Sequence, residues 1–252
     1  MNEVLLNFDL EEFDLPLEYG EKISKNNQLE FSLKGLKKLV SLLDSQEIKA
    51  TFFTTASFAL KYPEIIKKIS KKHEIASHNL IHEGNIYKEE DVRKSKEIIE
   101  KIINKKIEGF RMPRLKDVDY LSLSNLGFKY DSSISPTYLP GRYNNYFKSR
   151  KLKIFKGITE VPISTTPLIK IPFSWIFFRF FGLVYAKIAT NLCIKKPGFV
   201  NIFFHPWEFN NLKSFKIPFY IKKNSGDKAL NLLKKYILWC KSKGYDFYAI
   251  GD

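Results

Sequence analysis

Short apolar runs rich in β-formers alternate along the chain with longer amphipathic runs. The apolar runs predict eight strands, at residues 4–10, 50–56, 73–78, 107–113, 128–133, 159–164, 200–206 and 246–251. The amphipathic runs predict helices at about 30–45, 57–71, 88–104, 117–126, 174–194 and 226–243. Strands separated by helices favour a mainly parallel sheet, and seven or eight such units favour its closure into a barrel. The pattern therefore predicts an α/β fold.

Length and composition favour one domain. The chain has 252 residues with 44% hydrophobic content, which is enough for one sizeable core. Because no Gly/Ser-rich or Pro-rich linker divides it, we expect a single domain over residues 1–252. Cys193 and Cys240 lie in apolar or helical surroundings without CxxC spacing, so we expect buried free thiols rather than a disulfide scaffold.

The charge balance is strongly basic, with a net charge of +15 from 42 Lys and Arg against 27 Asp and Glu. It favours anionic partners in general. Many of the lysines, as in "KKISKKHE", lie between apolar positions at helical spacing, which is typical of a solvated helix face. No zinc finger, RNP-type motif or arginine-rich arm indicates specific nucleic-acid binding. The start "MNEVLLNFDLEEF" does not resemble a signal peptide, so we expect a cytoplasmic protein.

Three of the four histidines lie within residues 73–82. His78 and His82 are four residues apart and would share one face if this segment were helical. Two imidazoles on one face form a common half-site for a metal, since each neutral ring offers a nitrogen lone pair. An isolated HxxxH can equally serve packing or capping. His73 does not share the spacing and is expected to be structural.

Polar side chains follow five of the predicted strands at corresponding ends. They are Asp9 and Glu11 at the first strand, His78 at the third, Arg111 and Arg114 at the fourth, Asp131 at the fifth, and His205 and Glu208 at the seventh. Taken singly, each could be a helix cap, a surface ion pair or a packed core residue. Because active sites of β/α barrels lie at the carboxyl ends of the strands, their joint placement predicts a site there.

Five short stretches resemble, in order, the motifs of the polysaccharide deacetylases of the NodB-homology type, also called carbohydrate esterase family 4. They are "FDLEE", "SHNLIH", "FRMPR", "YDSS" and "FFHPW". Within that family the first motif is most similar to a subgroup in which an extended D-x-E replaces the usual adjacent Asp-Asp pair. The resemblance implies a distorted (β/α)7-type barrel and a metal-dependent enzyme that removes an N-acyl group from an amino sugar.

The resemblance also implies roles for the metal-binding motifs. His78 and His82 would bind one divalent ion, usually zinc though other divalent ions are possible, and Asp9 would be the catalytic base. For the third ligand we choose Glu11, since period-two alternation projects it beside Asp9, with Glu12 as the alternative. Two imidazole nitrogens and one carboxylate oxygen suit zinc, with water in the remaining position.

The remaining motifs correspond to proton transfer and substrate binding. Arg111 would orient the catalytic aspartate through its capacity for bidentate hydrogen bonds. His205 would be the general acid, and Asp131 would tune or orient it. Trp207 is interpreted as a sugar-stacking wall, with a core tryptophan as the alternative. Arg114 is expected to contact the substrate.

Residues 171–196 form an unusually aromatic segment, "IPFSWIFFRFFGLVYAKIATNLCIKK". One interpretation is a barrel helix buried against the core. The other is an interfacial helix whose aromatics enter a lipid boundary while nearby lysines meet anionic headgroups, with a lipid-linked sugar as substrate. An outer helix of a barrel has one buried face, so several of its first aromatics should be exposed: Trp175, Phe177, Phe178, Phe180 and Phe181.

We therefore predict a metal-dependent N-deacetylase that acts on an amino-sugar polymer or its glycolipid precursor. Two other classes of function remain open. The first is a non-catalytic carbohydrate-binding relative with the same fold. The second is a peripheral protein that binds membranes or anionic polymers through its charge.

Overall fold

The computed structural model describes residues 2–83 and 86–252, and within these residues it has a main sheet of nine strands. The strands of this sheet are β1 (Glu3–Leu10), β2 (Thr51–Thr54), β3 (Glu74–Ser77), β4 (Gly109–Phe110), β5 (Tyr130–Asp131), β8 (Lys153–Phe155), β9 (Ile158–Glu160), β10 (Phe199–Phe204) and β11 (Asp246–Tyr248). The short strands β6 (Tyr138–Leu139) and β7 (Tyr143–Asn144) form a separate antiparallel pair. All eight predicted strands are present, although several are shorter than predicted.

Seven strands form the parallel part of the sheet, in the order β10-β1-β2-β3-β4-β5-β9. β8 lies antiparallel to β9, and β11 lies parallel to the first residues of β1. The sheet curls so that the chain after β9 reaches β10, where the Ser164 amide donates to the Asn201 carbonyl at 2.9 Å and the Asn201 amide donates to Ser164 Oγ at 2.9 Å. The prediction of an α/β fold with a distorted barrel is confirmed.

The helices cover the outside of the curled sheet. They are α1 (Lys25–Ser45), α2 (Ala56–Lys61), α3 (Pro63–Ile69), α4 (Glu89–Ile103), α5 (Tyr120–Asn125), α6 (Trp175–Lys195), α7 (Phe219–Lys222) and α8 (Asp227–Ser242). The predicted helix at 57–71 is divided into α2 and α3, because Pro63 has no amide hydrogen and is accepted at the first position of a new helix.

Alternation along β1 separates two environments. Its outward side chains join the main core between sheet and helices: Val4, Leu6, Phe8 and Leu10. Leu5 points into the barrel and packs with a small apolar cluster that includes Phe53, Tyr130 and Val161. Asn7 and Asp9 follow Leu5 on the inner face, so the barrel interior changes from apolar to polar towards the carboxyl end of β1.

Gly182 interrupts α6 with φ 72° and ψ −161°, which a residue with a Cβ would adopt only with strain. The part before it, Trp175–Phe181, lies against the barrel end that carries the polar residues, since Trp175 packs with Trp207 and His205. By length and composition α6 could cross a membrane, and 33% of its most apolar stretch is buried in the protein. Cys193, on α6, and Cys240 are buried and free, as predicted.

Candidate active site

The HxxxH segment is not helical, so a loop rather than a helical face brings its two histidines together. The amide of His78 continues the sheet by donating to the Thr54 carbonyl at 2.9 Å, and Asn79 then takes a left-handed conformation with φ 65°. The carbonyl of Asn79 accepts from the first amide of α2, that of Ala56, at 3.1 Å. The loop is therefore used to cap α2, yet the rings of His78 and His82 still lie side by side with centroids 5.8 Å apart.

Both histidine rings point one nitrogen at the same carboxylate oxygen. Glu11 Oε2 lies 3.1 Å from His78 Nε2 and 3.0 Å from His82 Nε2, and all three side chains are buried. His78 Nδ1 donates to the Arg111 carbonyl at 2.8 Å, and His82 Nδ1 lies 2.9 Å from Asp14 Oδ2. Because these acceptors hold a proton on each Nδ1, both Nε2 atoms would be available to an ion bound between the rings and Glu11.

The buried carboxylate of Glu11 and the imidazole of His82 shift each other's pKa. Burial alone would raise the pKa of Glu11, but the charges of His82 and His205 and the hydrogen bond from His78 hold it well below its usual range. Burial alone would lower the pKa of His82, but Glu11 and Asp14 raise it to about 10. A divalent cation would satisfy the same carboxylates in place of the ring protons.

Glu12 faces the opposite side of the chain from Glu11. Its Oε1 lies 3.0 Å from Lys25 Nζ, and its Oε2 accepts from the backbone amide of His82 at 3.3 Å. No oxygen of Glu12 is thus directed between the imidazole rings. The geometry favours Glu11 over Glu12 as the acidic ligand.

Arg111 is fully buried and holds Asp9 from one side. Its Nη1 donates to Asp9 Oδ1 at 2.7 Å and to Asn7 Oδ1 at 2.6 Å, while its Nε donates to the Ser132 carbonyl at 2.8 Å. Asn201 supports this arrangement by donating to Ser132 Oγ at 3.0 Å. The arginine therefore fixes the aspartate by a single hydrogen bond within a network, rather than by the bidentate pair that the sequence predicted.

His205 occupies the other side of Asp9. Its Nε2 lies 3.9 Å from Asp9 Oδ2 and 3.7 Å from Glu11 Oε1, and its Nδ1 lies 3.0 Å from Glu208 Oε1. Burial alone would lower the pKa of His205, but the surrounding carboxylates raise it. Trp207 stacks on the imidazole with centroids 4.6 Å apart and the planes inclined by 21°.

Asp131 does not contact His205, so its predicted role in orienting that residue was wrong. It accepts from Ser133 Oγ at 2.7 Å and shares a buried hydrogen bond with Glu160. Burial raises the pKa of both carboxyls, and in Glu160 the charge of Asp131 adds to the effect. Glu208, three residues after His205, makes the contact with the His205 ring that was predicted for Asp131.

The two residues predicted to bind substrate differ in accessibility. Trp207 is only 3% exposed, and its Nε1 donates to Glu11 Oε1 at 3.2 Å, which favours the alternative of a packed core tryptophan over a sugar-stacking wall. Trp175 is the more accessible tryptophan, with its ring edge-on to His205 at 5.2 Å. Arg114 lies at the cavity rim, where it donates to Asp14 at 2.9 Å and also pairs with Glu18.

Some of these side chains line an open cavity of about 260 Å³. One wall is polar and carries Asp9, Glu11, Asp14, His82, Arg114 and His205. The other wall is apolar and comes from the start of α6 and from α7: Trp175, Ile176, Phe177, Tyr220 and Ile221. A ligand with a polar ring and an apolar attachment would match both walls.

Six residues of the site were not singled out for these roles from the sequence: Asn7, Asp14, Ser132, Arg179, Asn201 and Glu208. Two signals could have identified some of them. Asn7 and Asn201 are polar residues on buried strands, in phase with Asp9 and His205 respectively. Arg179 is a charge within an otherwise apolar run, and such a charge needs a buried partner.

Comparison with known proteins shows what this chain is similar to. Residues 33–130 match the family model described as "Polysaccharide deacetylase". A search of curated protein sequences finds no significant match. The chain superposes on a Pseudomonas aeruginosa PAO1 structure described as a polysaccharide deacetylase, with a TM-score of 0.69 and 16% identity over 99% of this chain and 88% of the other.

Two further structures share the fold. A Mycobacterium smegmatis protein, also described as a polysaccharide deacetylase, has a TM-score of 0.68 and 19% identity, with coverage of 99% of this chain and 87% of that one. Puue allantoinase has a TM-score of 0.65 and 16% identity, with coverage of 99% and 88%.

The fold and the site define a distorted α/β barrel with a polar site at the carboxyl ends of its strands. Residues 33–130 resemble the polysaccharide deacetylase family, and the chain shares its fold with solved structures described by that name. Its place in a subgroup with an extended D-x-E motif stays a prediction.

Proposed function

We propose that this protein is a metal-dependent hydrolase that removes an N-acyl group, most simply acetyl, from an amino sugar. The observation that carries the proposal is the convergence of Asp9, Glu11, His82 and His205 at one cavity, with His78 beside Glu11 and His82. The substrate class is a polysaccharide or its lipid-linked precursor. The family match over residues 33–130 supports a deacetylase, and the donor set supports dependence on a metal.

Glu11, His78 and His82 would hold the ion. Two nitrogens and one carboxylate oxygen within reach of a common point fit zinc, and a catalytic zinc site keeps a position open for water. When bound, such an ion supplies polarisation of the acyl carbonyl and activation of water. We propose zinc as the cofactor, with other divalent ions as alternatives.

The proton transfers would fall to Asp9 and His205, which are neighbours on the polar wall of the cavity, with 3.9 Å between Asp9 Oδ2 and His205 Nε2. Arg111 holds one carboxylate oxygen of Asp9, so the other, Oδ2, is free to accept a proton from water. His205 presents Nε2 to the cavity, from which it can donate a proton to the departing nitrogen. Hydrolysis of an amide needs both a base that accepts the water proton and an acid that protonates the departing nitrogen.

The experiment measures acetate release from N-acetylglucosamine oligomers together with zinc content. Asp9→Asn keeps the size of the side chain and its hydrogen bond from Arg111, so it should retain zinc while losing at least about 100-fold in kcat. Glu12→Gln changes a neighbouring buried carboxylate that does not face the cavity, and it should retain activity.

Three results would contradict the proposal. Zinc-loaded wild-type protein that binds the oligomers without releasing acetate would favour a non-catalytic carbohydrate-binding relative. Loss of zinc in Asp9→Asn would make Asp9 a metal ligand rather than the base. Binding of anionic polymer without hydrolysis would favour a peripheral protein that binds membranes or anionic polymers through its charge.

We also propose that the enzyme works at the inner, cytoplasmic surface of a membrane that contains anionic lipid, on a lipid-linked sugar. Several apolar side chains of α6 and α7 face solvent, among them Phe181 (55% exposed), Val184 (71%) and Phe219 (73%). We call these three residues, with Phe180 and Ile188, the outer patch. Phe180 and Phe181 bear out the expectation that several aromatics of this segment are exposed, while Phe178 is buried.

Two features favour a lipid surface as the partner of the outer patch. Lys223 Nζ lies 3.8 Å from the centre of the Phe180 ring, which places a cation among the aromatics, and the whole chain is strongly basic. Phe177, whose ring lies 6.0 Å from that of Phe181, also lines the cavity. The apolar wall of the active site thus continues towards the outer patch, as entry of a lipid-linked substrate would require.

A further inference from the structure

Arg179 is a buried charge behind the active site, on the first part of α6. Its Nε lies 2.8 Å from Glu208 Oε2 in an ion pair whose side chains are 1% and 0% exposed. The other oxygen of Glu208, Oε1, lies 3.0 Å from His205 Nδ1 and accepts from the His205 backbone amide at 2.7 Å. Arg179 on α6 is therefore connected to the imidazole of His205 through the carboxylate of Glu208.

The remaining nitrogens of Arg179 are fixed by the protein backbone. Nη2 donates to the Ile221 carbonyl at 2.9 Å, and Nη1 donates to the Lys223 carbonyl at 3.0 Å. The guanidinium also lies 5.1 Å from the centre of the Trp175 ring. Because a buried charge without a partner is costly, Glu208 is held in place as the counter-ion of an arginine that cannot easily move.

This arrangement decides how His205 is oriented. A carboxylate can only accept a hydrogen bond, so Glu208 Oε1 keeps a proton on Nδ1 and leaves Nε2 directed at the cavity. Trp207 stacks on the imidazole and Trp175 meets it edge-on, which fixes the plane of the ring. Rotation of the ring by half a turn would direct the wrong nitrogen towards Asp9.

We propose that Arg179 and Glu208 act as a positioning pair for His205, so that α6 sets the geometry of proton transfer in the barrel. The role in proton transfer rests on the proposed function, but the orientation of the ring does not. If the pair served only to attach α6 and α7 to the barrel, its removal would change stability and leave the ring orientation and kcat as they are.

The test combines kinetics with a measurement that does not depend on activity. Arg179→Met/Glu208→Leu removes both charges at once, which avoids an unpaired buried charge and favours a folded protein. In zinc-loaded protein at a pH high enough for His205 to be neutral, long-range ¹H–¹⁵N NMR of the histidine side chains should show one tautomer of His205, protonated at Nδ1, in the wild type. The double variant should show a mixture of tautomers or the opposite one.

The kinetic arm uses acetate release. The double variant and Arg179→Met alone should each lose about 10–100-fold in kcat, with KM within about twofold and zinc content unchanged. Arg179→Lys, which keeps the charge, should recover part of the loss. An unchanged tautomer in the folded double variant would overturn the proposal, whatever the kinetics. A wild-type protein that releases no acetate would overturn the proposed function, while the NMR comparison would still decide whether the pair positions His205.

Discussion

His82 Nδ1 lies 2.9 Å from Asp14 Oδ2, and this contact determines which nitrogen of the ring faces Glu11. Asp14 also accepts from Arg114 at 2.9 Å, so its carboxylate is held between a histidine and an arginine. A carboxylate that accepts from the far nitrogen of a metal-binding histidine raises the basicity of the ring and fixes its orientation. Asp14 should therefore contribute to metal affinity without touching the metal.

We predict that Asp14→Ala weakens zinc binding by about 10–100-fold, because His82 loses the partner that orients its ring. The measurement is competition with a chromophoric zinc chelator. Glu18→Gln is the matched control, since Glu18 pairs with Arg114 but does not contact His82, and it should leave the affinity within about twofold. Equal losses in the two variants would show that the wider charge network matters rather than the contact with His82.

The choice between the two neighbouring glutamates gives a second prediction. Glu11→Gln replaces an anionic oxygen between the two imidazoles, so zinc stoichiometry after dialysis should fall well below one. Glu12→Gln should retain zinc, because Glu12 contacts Lys25 and a backbone amide instead. Metal analysis of the two purified variants checks this directly. Loss of zinc in Glu12→Gln alone would reverse the assignment.

Strand positions and the inner face of β1 could be predicted from the sequence because both depend on local period-two alternation. Asn7, Asp9 and Glu11 are in phase along one extended segment, so their common direction needs no knowledge of the rest of the fold. The same holds for Asn201 and His205 on β10 and just beyond it. The direction of a side chain cannot be predicted in this way where the alternation of inward and outward residues is interrupted.

The loop at His78 and the direction of Asp131 could not be predicted in this way. The loop takes its shape from amides of α2, which lie more than twenty residues earlier in the chain. β5 has only two residues, so it offers no alternation from which to assign a face. Glu208 was noted as a polar strand-end residue, but its role depends on Arg179, whose position is set by packing between α6 and α7.

The buried pair of Asp131 and Glu160 gives a prediction about stability. Burial and the charge of Asp131 raise the pKa of Glu160 well above its ordinary value of 4.5. The folded state therefore binds a proton more tightly than the unfolded state, so this pair loses stability as pH rises above about 4.5, with a slope of at most about 1.4 kcal/mol per pH unit. Glu160→Gln cannot ionise and should remove that loss.

Urea unfolding of wild type and Glu160→Gln at pH 5 and pH 8 tests this difference. The variant should gain free energy of unfolding relative to wild type as pH rises. Glu108→Gln is the control, because Glu108 forms a surface ion pair with Lys129, and its difference from wild type should stay within about 0.5 kcal/mol at both pH values. A Glu160→Gln curve parallel to that of wild type would show that Glu160 is already ionised in the folded protein.

The outer patch gives the last prediction, which tests action at a membrane. We expect the protein to co-sediment with vesicles that contain phosphatidylserine, and to do so less at high salt, because Lys223 beside Phe180 and the basic charge of the chain contribute to binding. Phe181→Ser/Val184→Ser removes two of the most exposed apolar side chains of α6 and should weaken sedimentation about tenfold or more, while zinc content and acetate release from soluble oligomers stay unchanged. Leu60→Ser changes an equally exposed leucine on α2 and is the matched control. Binding that is equal in both variants would mean that the outer patch is not the contact surface. No sedimentation of wild type at low salt would make a soluble saccharide the better substrate.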